Sequence, residues 1–187
     1  MIYPQKISSK KSELIINILL SVSIIIAIIL VTINKLTTPQ IPWAALSNCG
    51  IIYIWITVIY SIKKGTNIAG HVLNQTILAS VAMLYIDNMI GYHGWSVYIG
   101  IPIVLMVANI TMLILTIISY KRYIKYAIYQ LIIVLLSFAP IILIINNVIE
   151  MKFLIRIAME ISSFSFIVSI ILCYKDIKEA IVRKIHM

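Results

Sequence analysis

An all-α, polytopic transmembrane fold of six spans follows from three observations. The first is composition. Hydrophobic residues make up 62% of the 187-residue chain and charged residues only 11%, with a mean hydropathy of +1.07. Soluble domains carry roughly 45–50% apolar and about 25% charged residues, so a soluble fold could not bury this much apolar surface and lipid must solvate it. The second is the presence of six apolar runs, each near the roughly 20 residues that cross a hydrocarbon core about 30 Å thick. The third is the placement of the fifteen Lys and Arg residues, which fall almost entirely on one side of those runs.

The first run, Leu14–Ile33, follows a basic arm. It is too long for a signal-peptide core and no small-residue cleavage site follows it, so it reads as an uncleaved span. The second and third are Trp43–Ile62 and Ile68–Ile90. The fourth, Trp95–Tyr120, is long, with Pro102 one to two turns in, which predicts a tilt or a kink. Tyr126–Val148 and Phe153–Tyr174 complete the set. The reading is one transmembrane domain, 1–187, with a short N-terminal arm at 1–13 and a tail at 175–187. The two halves have opposite orientations, which permits an inverted repeat, but no residue pattern demands one.

The loops orient the chain. Twelve basic residues share one face: Lys6, Lys10, Lys11, Lys63, Lys64, Lys121, Arg122, Lys125, Lys175, Lys178, Arg183 and Lys184. The other face holds Lys35, Lys152 and Arg156. The positive-inside rule then places both termini in the cytoplasm, and the heavy isoleucine and lysine content resembles a low-GC bacterial proteome, so a bacterial cytoplasmic (inner) membrane is expected. Trp43, Tyr92, Trp95 and Tyr98 form an outer aromatic belt, and Tyr60, Tyr120, Tyr123, Tyr126 and Tyr174 an inner one. The formal charge of +9 does not form a stripe on a polar face, so no nucleic-acid partner is expected. Anionic lipids of the cytoplasmic leaflet suit it better. Cys49 and Cys173 fall near opposite faces and read as buried thiols rather than a disulfide.

Polar groups at depth cost free energy, so they mark candidate sites. On the outer side, the hairpin DNMIGYHGW holds Asp87, His93 and Trp95, with Gly91 and Gly94 permitting tight turns. Glu150 closes the fifth span on the same face, and Arg156 and Glu160 enter the sixth four residues apart. These six residues are the candidate ligand-binding set. Glu160 would lie about 10 Å deep, where pairing with Arg156 on a bundle-facing surface would offset the cost of its charge. The inner belt is His71, Asn74 and Gln75 on one face of the third span, with Asn109 on the fourth at similar depth. Interhelical hydrogen bonding is its plain reading, at roughly 0.6 kcal/mol a bond.

Enzyme motifs are missing: no HExxH, no GxSxG and no phosphate-binding lysine loop. His71 and His93 fall on opposite sides and cannot share a metal, and no cofactor is expected. Two non-enzymatic readings stand. One is a small-solute binding or transport component with an outward-facing polar site. The other is a structural or regulatory partner, in a homo-oligomer or a larger membrane complex.

The segments Ile86-Asp87, Gly91, Gly94-Trp95-Ser96 and Ile101-Pro102, together with Trp55, Pro140 and Lys178-Glu179 before Arg183-Lys184-Ile185-His186, carry a resemblance. They resemble a family of uncharacterised six-span Firmicute integral membrane proteins, a domain of unknown function whose relatives often carry an N-terminal zinc ribbon. The chain has no CxxC, so that ribbon is absent here. The resemblance implies the topology and no activity. The chain is also similar in length and span number to the substrate-binding components of energy-coupling-factor vitamin transporters, and Ser23-xxx-Ala27 has the small-xxx-small spacing by which those dock.

Overall fold

A computed structural model describes the backbone of residues 9–65, 67–118 and 123–185, and the side chains of 13–63, 65, 67–118 and 127–172. It is all-helical. The helices are α1 (Ser9–Thr37), α2 (Trp43–Lys64), α3 (Ile68–Met89), α4 (Ile101–Ile118), α5 (Tyr123–Ile145) and α6 (Phe153–Ile185), with a π turn, Ser96–Gly100, leading into α4. Six helical segments are long and apolar enough to cross a membrane: Glu13–Thr37, Trp43–Lys63, Ile68–Met89, Ser96–Ile118, Ala127–Ile145 and Phe153–Leu172. Each coincides with an expected run to within a few residues. The side chains of Lys6, Lys10, Lys11, Lys64, Tyr120, Lys121, Arg122, Tyr123, Lys125, Tyr126, Cys173, Tyr174, Lys175, Lys178, Arg183 and Lys184 lie outside those described.

The chain divides into two compact units, Met1–Val58 and Ile59–Met187. In the first, one side chain organises the turn between α1 and α2. Asn34, only 8% exposed, donates to the carbonyls of Thr38 at 2.7 Å and Ile41 at 2.8 Å, and its Oδ1 accepts from the Ala44 N–H at 3.2 Å. It thereby supplies partners at the end of one helix and the start of the next, where intrahelical ones run out. Trp43 Nε1 donates to Thr38 Oγ1 at 2.8 Å across the same turn. Along α1, Ser21, Ser23, Thr32 and Thr37 each donate to the carbonyl four residues back. The hydroxyl protons are thus satisfied within a helix that exposes most of its isoleucines.

In the second unit, α4 packs against α3, α5 and α6. One apolar cluster joins Ala69, Ala108, Met112 and Ile133, and a second joins Ile149, Ile155 and Met159. The expected distortion at Pro102 takes the form of the π turn. The Ile101 N–H bonds the Ser96 carbonyl, and the next residue is the proline, which has no N–H to continue the ladder. Gly100 lets the turn lie close to α3, since a Cβ on it would fall 2.6 Å from Met83 Sδ and force that side chain to shift.

Candidate functional site

The hairpin joining α3 to the π turn is built around Asp87. Gly91 (φ 101°), Tyr92 (φ 48°) and Gly94 (φ 77°) reverse the chain and bring the following backbone back over the end of α3. Asp87 is wholly buried. Its Oδ1 accepts from the His93 N–H at 2.9 Å, and its Oδ2 accepts from the Ser96 N–H at 3.2 Å and Ser96 Oγ at 2.7 Å. Among the described residues no cation pairs with it. It is held instead by the His93 N–H of the hairpin and by the N–H and hydroxyl of Ser96, which stands at the start of the next helix, where the helix dipole favours an anion.

The other five candidates do not converge on it. The His93 ring is exposed, and its backbone alone meets Asp87. Trp95 is half-buried, with its ring close to Gly100. Glu150 is exposed, and its backbone N–H donates to Tyr98 Oη at 3.4 Å, while Lys152 Nζ lies 3.8 Å over the Tyr98 ring. Arg156 and Glu160 do pair, with Nε to Oε1 at 3.6 Å, but their side chains are 65% and 68% exposed. The expectation that this pair faces the bundle is therefore corrected. The inward face of α6 is taken by Ile155, Ala158, Met159, Ser162, Ser165 and Ser169, all at most 8% exposed, which turns Arg156 and Glu160 outward.

The inner belt separates into two places. His71 Nε2 lies 3.0 Å from the Gly65 carbonyl, and its ring stands edge-on to Tyr60 at 5.0 Å. Nearby, Asn67 caps α3 through the Gly70 N–H at 3.1 Å and donates to Tyr129 Oη at 2.8 Å. A Cβ on Gly70 would meet Tyr60 Oη at 2.5 Å, so glycine permits this approach. Asn74 Nδ2 is buried without a partner, and Gln75 is half-buried. Asn109 belongs elsewhere, in a polar seam between α4, α5 and α6. Its Nδ2 lies within hydrogen-bond distance of the Leu105 carbonyl (2.8 Å), Ser162 Oγ (2.7 Å) and Ser137 Oγ (3.2 Å). One layer along, Gln130 Nε2 reaches Ser165 Oγ at 3.3 Å and Ser169 Oγ at 2.9 Å, and Ser165 Oγ donates to the Asn109 carbonyl at 3.1 Å. Asn109 Oδ1 and Gln130 Oε1 are buried with no donor.

Beside the seam is a cavity of about 300 Å³ bounded by α3, the π turn, α4, α5 and α6. Its inner wall includes buried Pro102, Leu105, Ser137, Ile155 and Ala158, and its lip includes exposed Ile77, Val81, Leu84 and Leu143. Ser137 belongs to both structures, since it lines the cavity and faces Asn109. None of Asp87, His93, Trp95, Glu150, Arg156 and Glu160 lines this cavity.

A family model described as a family of unknown function, DUF6320, matches residues 3–187. The chain belongs to that family. No curated protein and no solved structure matches it. Chemistry for this DUF6320 member therefore comes from its own residues. Among the described residues no three His, Cys, Asp or Glu side chains gather as a metal site would need. The cavity and the seam were missed by reading polar residues one at a time. The available signal was Ser162, Ser165 and Ser169 at spacings of three and four on α6, with Gln130 and Ser137 seven apart on α5.

Proposed function

We propose that this is a multi-pass protein of a bacterial cytoplasmic membrane, without catalytic activity, that holds a small apolar molecule in the cavity beside α4. The observation that carries the reading is that cavity. Its volume of about 300 Å³ is at the lower end of the range for small-molecule sites, which are mostly apolar with a few polar groups. Its exposed lip of Ile77, Val81, Leu84 and Leu143 would open sideways toward lipid, so a ligand could enter from the hydrocarbon phase. The polar hairpin is less suited to the role, because the Asp87 oxygens already serve the fold.

The test is photolabelling of the purified protein in mild detergent with an alkyl diazirine. Labels should map to cavity residues. Val81→Trp or Ala139→Trp, both at exposed lip positions, should cut labelling at least tenfold without lowering the melting temperature. Labelling that ignores both tryptophans would sink the reading.

The orientation proposed with it puts both termini in the cytoplasm, on the strength of the twelve-to-three split of basic residues. Single cysteines at Tyr92 and at Lys63, each in a background without Cys49 and Cys173, should react differently with an impermeant maleimide on intact cells. Position 92 should label and position 63 should not; the reverse pattern would overturn the orientation.

A further inference from the structure

The cavity is almost free of polar surface, and the polar atoms at its wall are of one kind. Ser80 and Ser137 both line it. Each gives its proton to its own helix: Ser80 Oγ donates to the Thr76 carbonyl at 2.8 Å, and Ser137 Oγ to the Ile133 carbonyl at 3.0 Å. With their protons engaged, the oxygens can offer only lone pairs. Pro140 lies within α5 and lines the cavity together with Leu136. Having no N–H, it cannot give the Leu136 carbonyl its usual helical donor. Behind Ser137, the Asn109 carboxamide reaches back to the Leu105 carbonyl, and Leu105 is cavity floor. The Leu136 carbonyl is thus an acceptor short of its helical donor on this wall, Ser80 Oγ keeps its lone pairs, Ser137 Oγ keeps one beside the bond it takes from Asn109 Nδ2 at 3.2 Å, and no lining side chain has a proton to offer.

A ligand that only accepts hydrogen bonds would leave the Leu136 carbonyl unmatched, and a buried unmatched acceptor is costly. A ligand that brings one donor would match it. The donor can be neutral or cationic, and the acidic residues decide between these. No Asp or Glu lines the cavity; Asp87 is engaged in the hairpin, and Glu150 and Glu160 are exposed. A cation there would have no counter-charge in an apolar slab, which is disfavoured. We infer that the natural ligand is a neutral aliphatic molecule bearing a hydroxyl group, its chain in the cavity and its O–H directed at the wall of Ser80, Ser137 and the Leu136 carbonyl. This rests on the proposed binding role and specifies its ligand class.

The test is competition against the alkyl diazirine label in detergent-solubilised wild-type protein. The competitors are 1-octanol, 1-methoxyoctane, n-octane and octylammonium at equal mole fraction in the micelle. The alcohol should displace label at about fivefold lower concentration than the ether or the alkane, as one hydrogen bond is worth. Ser80→Ala combined with Ser137→Ala should narrow that preference, the Leu136 carbonyl remaining as an acceptor, and an undiminished preference would overturn the assignment of the O–H to this wall. Equal competition by alcohol, ether and alkane would overturn the hydroxyl assignment and leave cavity binding standing. Stronger competition by octylammonium would overturn the neutral assignment. Failure of the label to map to the cavity at all would overturn the binding role and this inference with it. The wild-type comparison needs no variant to fold.

Discussion

Replacing Asp87 with alanine should leave little folded protein. The carboxylate is wholly buried and takes hydrogen bonds from His93 N–H, Ser96 N–H and Ser96 Oγ. Removing it strands the Ser96 donors in a buried place, and an unmet buried donor costs its full desolvation. It also removes the anion at the start of the π turn and α4. Asp87→Asn keeps one acceptor oxygen but turns an amide N–H toward the remaining donors, so it should fall between alanine and wild type. The measurement is the yield of monodisperse protein by fluorescence-detected gel filtration after mild-detergent extraction. A several-fold drop for alanine is expected, and a wild-type yield would show that the hairpin closes without its carboxylate.

The second large effect is expected at Ser165, where size and bonding can be separated. Its hydroxyl donates to the Asn109 carbonyl and accepts from Gln130, and it is 1% exposed. Ser165→Ala removes only the bonds. Intramembrane hydrogen bonds average about 0.6 kcal/mol, so the loss should be about 1 kcal/mol. Ser165→Leu also forces three extra carbons into the packed seam, which adds a further 1–3 kcal/mol or so of strain, and it leaves Gln130 Nε2 with fewer acceptors. Unfolding in micelles should rank wild type above alanine and alanine well above leucine. Equal stability of the two variants would mean that α6 does not pack closely here.

The six helices are legible in the sequence because lipid rewards long apolar runs regardless of what they pack against. Pro102 likewise signals a distortion, since its missing N–H must be accommodated in any tertiary setting. The side on which a span presents its polar residues is harder to read. For α6, the cost of exposing charge argues for turning Arg156 and Glu160 inward. Against this, Ala158, Ser162, Ser165 and Ser169 compete for the same inward face and win it, because small residues let helices approach closely. The outward pair satisfies itself at 3.6 Å, and helical side chains lean toward their N-terminus, which for α6 is the end beside Lys152. Asp87 was legible as a residue of consequence, but its partners were not. Two of its three donors are backbone N–H groups, which have no signature in a sequence. The cavity depends on how α3, the π turn, α4, α5 and α6 come together, which no single segment encodes.

The closure of Asp87 by residues 93–96 also bears on how the chain is made. A ribosome delivers α3 before the groups that complete it. Until Ser96 emerges, the carboxylate at the end of α3 lacks the partners that hold it in the finished protein. α3 already carries His71, Asn74 and Gln75, and is the least apolar of the six segments. The segment that follows is more apolar and contributes the two Ser96 donors and much of the packing surface. In a bilayer, α3 and α4 should then insert as a pair, entering together as a hairpin whose tip is hydrogen-bonded. A stop in translation between Asp87 and Ser96 should leave the least apolar of the six segments with a carboxylate that lacks its partners.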